Sequence, residues 1–183
     1  MWRNSQKTCL ENQKMNTFNL KPIAFIRSEH KNAEATPIQP VFAGECTGRV
    51  ELLPEYADGL VDIEGFSHVI LIYWLHKATF GSLRVKPFLQ DIEHGIFATR
   101  SPWRPNPIGI SIVRLVKRDG SILNIQGVDI LDGTPVLDIK PYSSIFDSFP
   151  DARNGWQEGI DKETLEKRGR RGYQGITETG CKS

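Results

Sequence analysis

From residue 18 onward the chain is a succession of short apolar runs broken by glycine and proline, a pattern that leaves little room for long helices. Ile23 to Ile26 form one such run, and Arg49 to Leu53 alternate apolar with polar. His68 to His76 (HVILIYWLH) are almost continuously β-branched or aromatic, which predicts a strand buried on both faces. Gly109 to Val116 and Ile122 to Ile130 follow as further strands, with Arg118-Asp119-Gly120-Ser121 as a hairpin turn and Val136 to Ile139 as a last short strand. Helical signals are confined to one turn at Glu55 to Leu60 and to Asp161 to Arg168, whose acidic start and basic end suit the helix dipole. The expected fold is mainly β, a closed or sandwiched sheet with one or two short helices.

Length and charge narrow the function. At 183 residues and 39% hydrophobic, the chain supports one well-filled core. Its 23 basic and 22 acidic residues nearly cancel, so a polyanionic partner must be met by a local basic patch rather than by bulk charge. Cys9, Cys46 and Cys181 are odd in number and far apart, which argues against a disulfide framework or a zinc site and suits a reducing cytoplasm without metal. With no secretory leader and no bilayer-length apolar stretch, a cytoplasmic protein without membrane contact is expected. Residues 1–17 are polar and aperiodic and read as a disordered extension, 18–160 as the β domain, and 161–183 as a short helix with a loose basic tail.

The chemistry concentrates in a few stretches. FATRSPWRPNPIG, residues 97–109, carries three prolines and can be neither a helix interior nor a central strand. It frames Arg100 and Arg104 rigidly, and a fixed guanidinium suits a carboxylate or phosphate. Asn106 can cap backbone or read an amide. Arginines simply paired with Asp91 or Glu93 are the structural alternative. LDGTPVLDIKPY, residues 131–142, opens on a turn, and Asp138, Lys140 and Tyr142 then share one face of a strand. His68 and His76 cap the ends of the long apolar run, ~24 Å apart at the strand rise, and cannot share a metal. Thr36 to Pro40 form a proline-bounded extended loop. No phosphate loop, dinucleotide fingerprint, nucleophile elbow or HExxH is present.

Taken together and in order, Glu64-Phe66-Ser67-His68, residues 97–109 and residues 132–142 resemble the TsaA-like family over roughly residues 20–150. The resemblance implies a small, closed or nearly closed β-barrel that uses S-adenosylmethionine to methylate threonylcarbamoyladenosine in the tRNA anticodon loop. It also implies a homodimer with the cofactor near the subunit interface. Carried onto this sequence, the cofactor residues are Gln39, Pro40, His76, Lys77, Ala78, Arg100, Ile110, Leu131, Asp132, Gly133 and Thr134. Tyr142, Asp138 and His76 are then the candidate general bases. Arg104, Trp103, Asn106 and Lys140 are the candidate substrate contacts, with Trp103 stacking on a base. Ile38 stands where many members carry arginine. Two other readings share the cofactor: a methyltransferase of a small metabolite or another nucleoside, and a non-catalytic regulatory module.

Overall fold

The structure is a computed structural model that describes residues 18–170, so the expected disordered extension and most of the basic tail lie outside it. Eight strands form: β1 (Ala24–Arg27), β2 (Thr47–Leu52), β3 (His68–Trp74), β4 (Arg84–Val85), β5 (His94–Gly95), β6 (Ile108–Asp119), β7 (Ile122–Gln126) and β8 (Pro135–Pro141). Six of them close into an antiparallel barrel in the order β1-β2-β7-β6-β3-β8, while β4 and β5 pair separately. Closure is explicit at Ala24, which lies opposite Leu52 on one side and Val136 on the other. The mainly β, closed-barrel expectation holds, and closure leaves the barrel no free edge.

Alternation fills the interior. Val69, Leu71 and Tyr73 point inward from β3, Val113 and Leu115 from β6, and Leu123 and Ile125 from β7, all buried against Ile26, Val50 and Val136. Each such aliphatic side chain contributes about 1.5–3 kcal/mol by leaving water. One expectation needs correction here. β3 is buried on its inner face alone, because Ile70, Ile72 and Trp74 point outward, and Trp74 is 47% exposed. Register sets them beside the outward isoleucines of β6: Trp74 faces Ile108, Ile72 faces Ile110 and Ile70 faces Ile112. The unbroken apolar run therefore makes an apolar stripe on the outer wall.

A second correction concerns Ile122 to Ile130. β7 stops at Gln126, because Gly127 takes a left-handed φ of 78° and the N–H groups of Gly127 and Val128 both donate to the Cys46 carbonyl. The predicted hairpin turn does form, with Gly120 at φ 59° and Arg118 Nε donating to the Gly120 carbonyl at 2.8 Å.

Helices are few and short: α1 (Pro40–Ala43), α2 (Ser144–Asp147) and α3 (Lys162–Gly169), with 3-10 turns such as Pro54–Leu60. Asp161 caps α3 by accepting from the Thr164 N–H at 2.8 Å. α3 docks on the barrel's loops, since Ile38 N–H donates to the Gly169 carbonyl at 3.0 Å and Arg168 pairs with Asp91 at 3.0 Å. Gly169 lies so close under the Phe42 ring that a Cβ would sit 2.5 Å from it. Among the described residues no helix is long and apolar enough to cross a membrane.

Candidate functional site

Strand directions put three connections at one end of the barrel: 28–46 between β1 and β2, 75–107 between β3 and β6, and 127–134 between β7 and β8. The opposite end is closed by the turn at 120–121 and the connection 53–67. Every stretch singled out for the cofactor except outward-facing Ile110, near the start of β6, lies on the long-loop rim.

The proline-rich segment is built from its first turn upward. Thr99, buried, donates its hydroxyl to the Ile96 carbonyl at 2.9 Å and accepts from the Ser101 N–H at 3.3 Å. Arg104 Nη1 folds back onto the Thr99 carbonyl at 3.1 Å. The Trp156 indole N–H donates to the Ala98 carbonyl at 2.8 Å, and its ring stacks on His94 at 4.8 Å between centroids. Leu75 N–H to the Pro107 carbonyl, 2.7 Å, returns the segment to the barrel. Trp103 is 53% exposed, so its side chain is available to a partner rather than used as core.

Arg100 is exposed, and its Nη1 donates to Gln39 Oε1 at 2.5 Å. The structural alternative is not realised: Asp91 is taken by Arg168 and Glu93 lies 3.9 Å from Arg84. Arg100 is positioned by a neutral amide, which orients the guanidinium and leaves its charge uncancelled.

The bend at 131–134 is fixed from β1. Gly133 N–H donates to the Ile26 carbonyl at 2.8 Å, and Gly133 sits at φ 74°, where a glycine is required. Ser28 N–H donates to Asp132 Oδ1 at 3.1 Å, and Lys31 Nζ lies 2.7 Å from Oδ2. Burial alone would raise the Asp132 pKa, but the Lys31 hydrogen bond and charge and the Ser28 N–H together hold it below the usual carboxylate range. Beside this bend, on the outer wall, a cleft of about 660 Å³ is lined by Arg27, Lys31, Arg49 and Lys117.

The predicted bases are not brought together. His76 lies on the rim, and burial, with help from Lys77, lowers its pKa and favours the neutral imidazole. Asp138 points outward from β8 opposite Ile72 and pairs with Lys140 at 2.7 Å. Tyr142 lies beyond the other end of β3, its N–H on the His68 carbonyl at 3.1 Å and its ring edge-on to His68. The length of β3, roughly 20 Å at the strand rise, separates Tyr142 from the rim within one protomer.

Two clusters escaped the sequence reading. Inside the mouth, Tyr73 hydroxyl and Ser111 Oγ lie 3.0 Å apart, and Ser111 Oγ donates to Asp129 Oδ1 at 2.6 Å. Burial pushes the Asp129 pKa up to about 7 despite the Ser111 bond, and pushes the Tyr73 hydroxyl up as well. The one signal was Gly109, where a Cβ would sit 2.2 Å from the Tyr73 ring. On the rim, Glu29, His30 and Cys46 bring a carboxylate, an imidazole and a thiol within 4.8 Å of one another. Cys46 Sγ donates to Glu29 Oε1 at 2.8 Å, and His30 Nε2 bonds the Val128 carbonyl at 2.7 Å. These atoms have the chemistry of a metal-binding set, one that the cysteine spacing had argued against.

Comparison with known proteins finds the same fold and motifs elsewhere. The family model for the tRNA-methyltransferase O N-terminal domain matches residues 25–148. A protein of Pyrococcus abyssi named a probable S-adenosyl-L-methionine-binding protein is 55% identical over 138 residues, covering 75% of each chain. The Escherichia coli tRNA (adenine(37)-N6)-methyltransferase is 39% identical over 148 residues, covering 75% of this chain and 63% of its own. A crystal structure of TrmO from Pseudomonas aeruginosa superposes with a TM-score of 0.68 at 39% identity, covering 81% of this chain and 65% of its own. The chain thus spans just under two thirds of the last two.

Proposed function

The chain belongs to the tRNA-methyltransferase O N-terminal domain family, and from that premise we propose that it is an S-adenosylmethionine-dependent methyltransferase acting on N6 of threonylcarbamoyladenosine beside the tRNA anticodon, in the cytoplasm, as a homodimer. The observation that carries this reading is the convergence of Gln39, Arg100 and the Leu131–Thr134 bend on one rim, with Arg100 held open by an amide.

The donor set fits the cofactor. Arg100 is the group for its carboxylate, and the Gln39-Pro40 corner fixes the approach. The 131–134 bend offers the adenosine end carbonyl acceptors rather than donors, because the Asp132, Gly133 and Thr134 N–H groups are given to the His30, Ile26 and Leu131 carbonyls, and buried Thr134 holds the bend in shape. His76, Lys77 and Ala78 line the rim at the end of β3, and Ile110 supplies apolar contact. When bound, S-adenosylmethionine supplies a methyl group already activated on cationic sulfur. The protein's remaining task is alignment and removal of one proton. Arg104, Asn106 and exposed Trp103 face the acceptor side, with Trp103 offering a ring on which a base stacks. Lys140, paired with Asp138 on the outer wall, is a candidate phosphate contact only if a second subunit frames the site. Support for that subunit is the exposed isoleucine stripe of β3 and β6, beside Ile110.

The test uses pure full-length protein, labelled S-adenosylmethionine, and tRNA with and without the threonylcarbamoyl group. Label entering only modified tRNA supports the reading. Cofactor binding without transfer to either tRNA overturns it in favour of a binding module. Transfer to a free nucleoside with a flat salt dependence points to a small acceptor, because phosphate contacts make tRNA binding fall steeply with salt.

A further inference from the structure

The barrel interior is aliphatic except in one place. Of the buried polar residues described, Ser111 alone sits on a barrel strand, and it is flanked by the Tyr73 hydroxyl and the Asp129 carboxyl. Because the single Ser111 proton is given to Asp129, Tyr73 must donate to Ser111, so both hydroxyls point toward the carboxylate. Gly109 is the sequence's concession to this chain, since any side chain there would displace the Tyr73 ring. Half-burying a carboxylate at the mouth costs stability that an aliphatic side chain in its place would not.

Asp129 also stands where a reaction needs it. It begins the run 129–134 that leads into the Leu131–Thr134 bend, and the Arg100 guanidinium acts electrostatically on both Asp129 and Tyr73. The groups facing it are Ser111 from β6, Tyr73 from β3 through Ser111, its own backbone N–H, and Arg100 from the 75–107 connection. By contrast Asp138 is neutralised by Lys140, and Tyr142 lies at the far end of β3.

We propose that Asp129 takes the proton from the acceptor nitrogen during methyl transfer, with Ser111 and Tyr73 as positioning residues that hold its carboxylate in the barrel mouth. The inference rests on the N6-methylation reading. The N6–H bond breaks and its proton forms an O–H bond on Asp129. The nitrogen's electron pair makes the new N–CH3 bond, and the pair of the broken S–CH3 bond stays on sulfur as a neutral thioether. Asp129 then returns its proton to water. A carboxyl titrating near neutrality suits a base that must load and unload at physiological pH.

Single-turnover methylation of threonylcarbamoyl-modified tRNA by the full chain, from pH 5.5 to 9, tests this. The wild-type rate should rise with a midpoint near 7. Asp129→Asn should lower the rate about 10²–10³-fold and abolish the rise, with cofactor affinity unchanged. Ser111→Ala should keep the rate within about tenfold and move the midpoint upward, because a hydrogen bond to the charged form is lost, and Tyr73→Phe should move it the same way by less, through the Ser111 hydroxyl alone. Carbon NMR of the cofactor-free protein should show an aspartate carboxyl titrating near neutrality that Asp129→Asn removes. If that variant fails to fold, the Ser111→Ala midpoint and the carboxyl titration decide. Near-wild-type activity of Asp129→Asn, a loss traced to cofactor binding alone, or a pH profile that follows His76→Ala instead overturns the proposal while leaving the methyltransferase reading intact. A wild-type chain that methylates no tRNA removes the reading and the proposal together.

Discussion

The two ends of the barrel answer different demands. At the closed end, β6 passes to β7 through Gly120 and Ser121, and Arg118 pins the neighbouring connection by donating to the Leu60 carbonyl at 3.0 Å with Glu64 3.7 Å away. Charge there is spent on closing the chain. At the long-loop end, Arg100 is held by an amide, Trp103 is exposed, and a carboxylate is half-buried inside the mouth, partly withdrawn from solvent. Stability is built between and below the loops; the rim gives some of it up. Local departures from a well-satisfied structure set the long-loop end apart more clearly than the 660 Å³ cleft does, since that cleft lies on the outer wall and shares only its Asp132 edge with the proposed cofactor residues.

The contrast can be broken by experiment. Truncating the shared core should hurt most: Leu71→Ala should destabilise by about 2–5 kcal/mol in urea unfolding, with both ends failing together. Arg100→Ala should abolish most of the cofactor-induced melting shift, weakening binding by roughly 10–100-fold for the loss of about 1.5–3 kcal/mol of charged hydrogen bonding, yet leave the melting point of the free protein in place. A destabilised free protein would mean that the rim is structural after all. Arg118→Ala should do the reverse, costing about 1 kcal/mol of stability with cofactor affinity unchanged.

The effect of pH has a distinctive sign. The Asp129 pKa is raised in the folded state, so the folded protein binds its proton more tightly than the unfolded chain does, and this contribution to stability is lost as pH rises from the ordinary carboxylate value to about 7. Asp129→Asn should therefore gain on wild type across that window and hold its gain above it, as denaturant midpoints at pH 4.5 and 8 would register. Asp132, held low, has the opposite sign: its contribution is present above the ordinary carboxylate value and disappears on acidification through its depressed folded pKa.

Local pattern foretold the strands well. The alternation in Arg49–Leu53 and the long run from His68 produced β2 and β3, and the acidic start at Asp161 produced the α3 cap. It misjudged burial of β3, because an isoleucine on an outer wall is compositionally identical to one in a core. It overran β7, because a single glycine at position 127 inside an isoleucine-rich stretch does not announce a left-handed turn. Barrel or sandwich could not be decided from short segments, since closure depends on Ala24 meeting both Leu52 and Val136. The Tyr73–Ser111–Asp129 chain was invisible for the same reason: its members come from three separate elements, and only Gly109 hints at a neighbour pressing close.

A cylinder whose staves are all paired has no seam to share. Another copy of this chain cannot join the barrel as an added edge strand, because each of its six strands already has a neighbour on both sides. The proposed pairing of two barrels would instead be made by side chains, face against face, so a single polar replacement such as Ile110→Glu on the outer wall would prevent it without unfolding either copy.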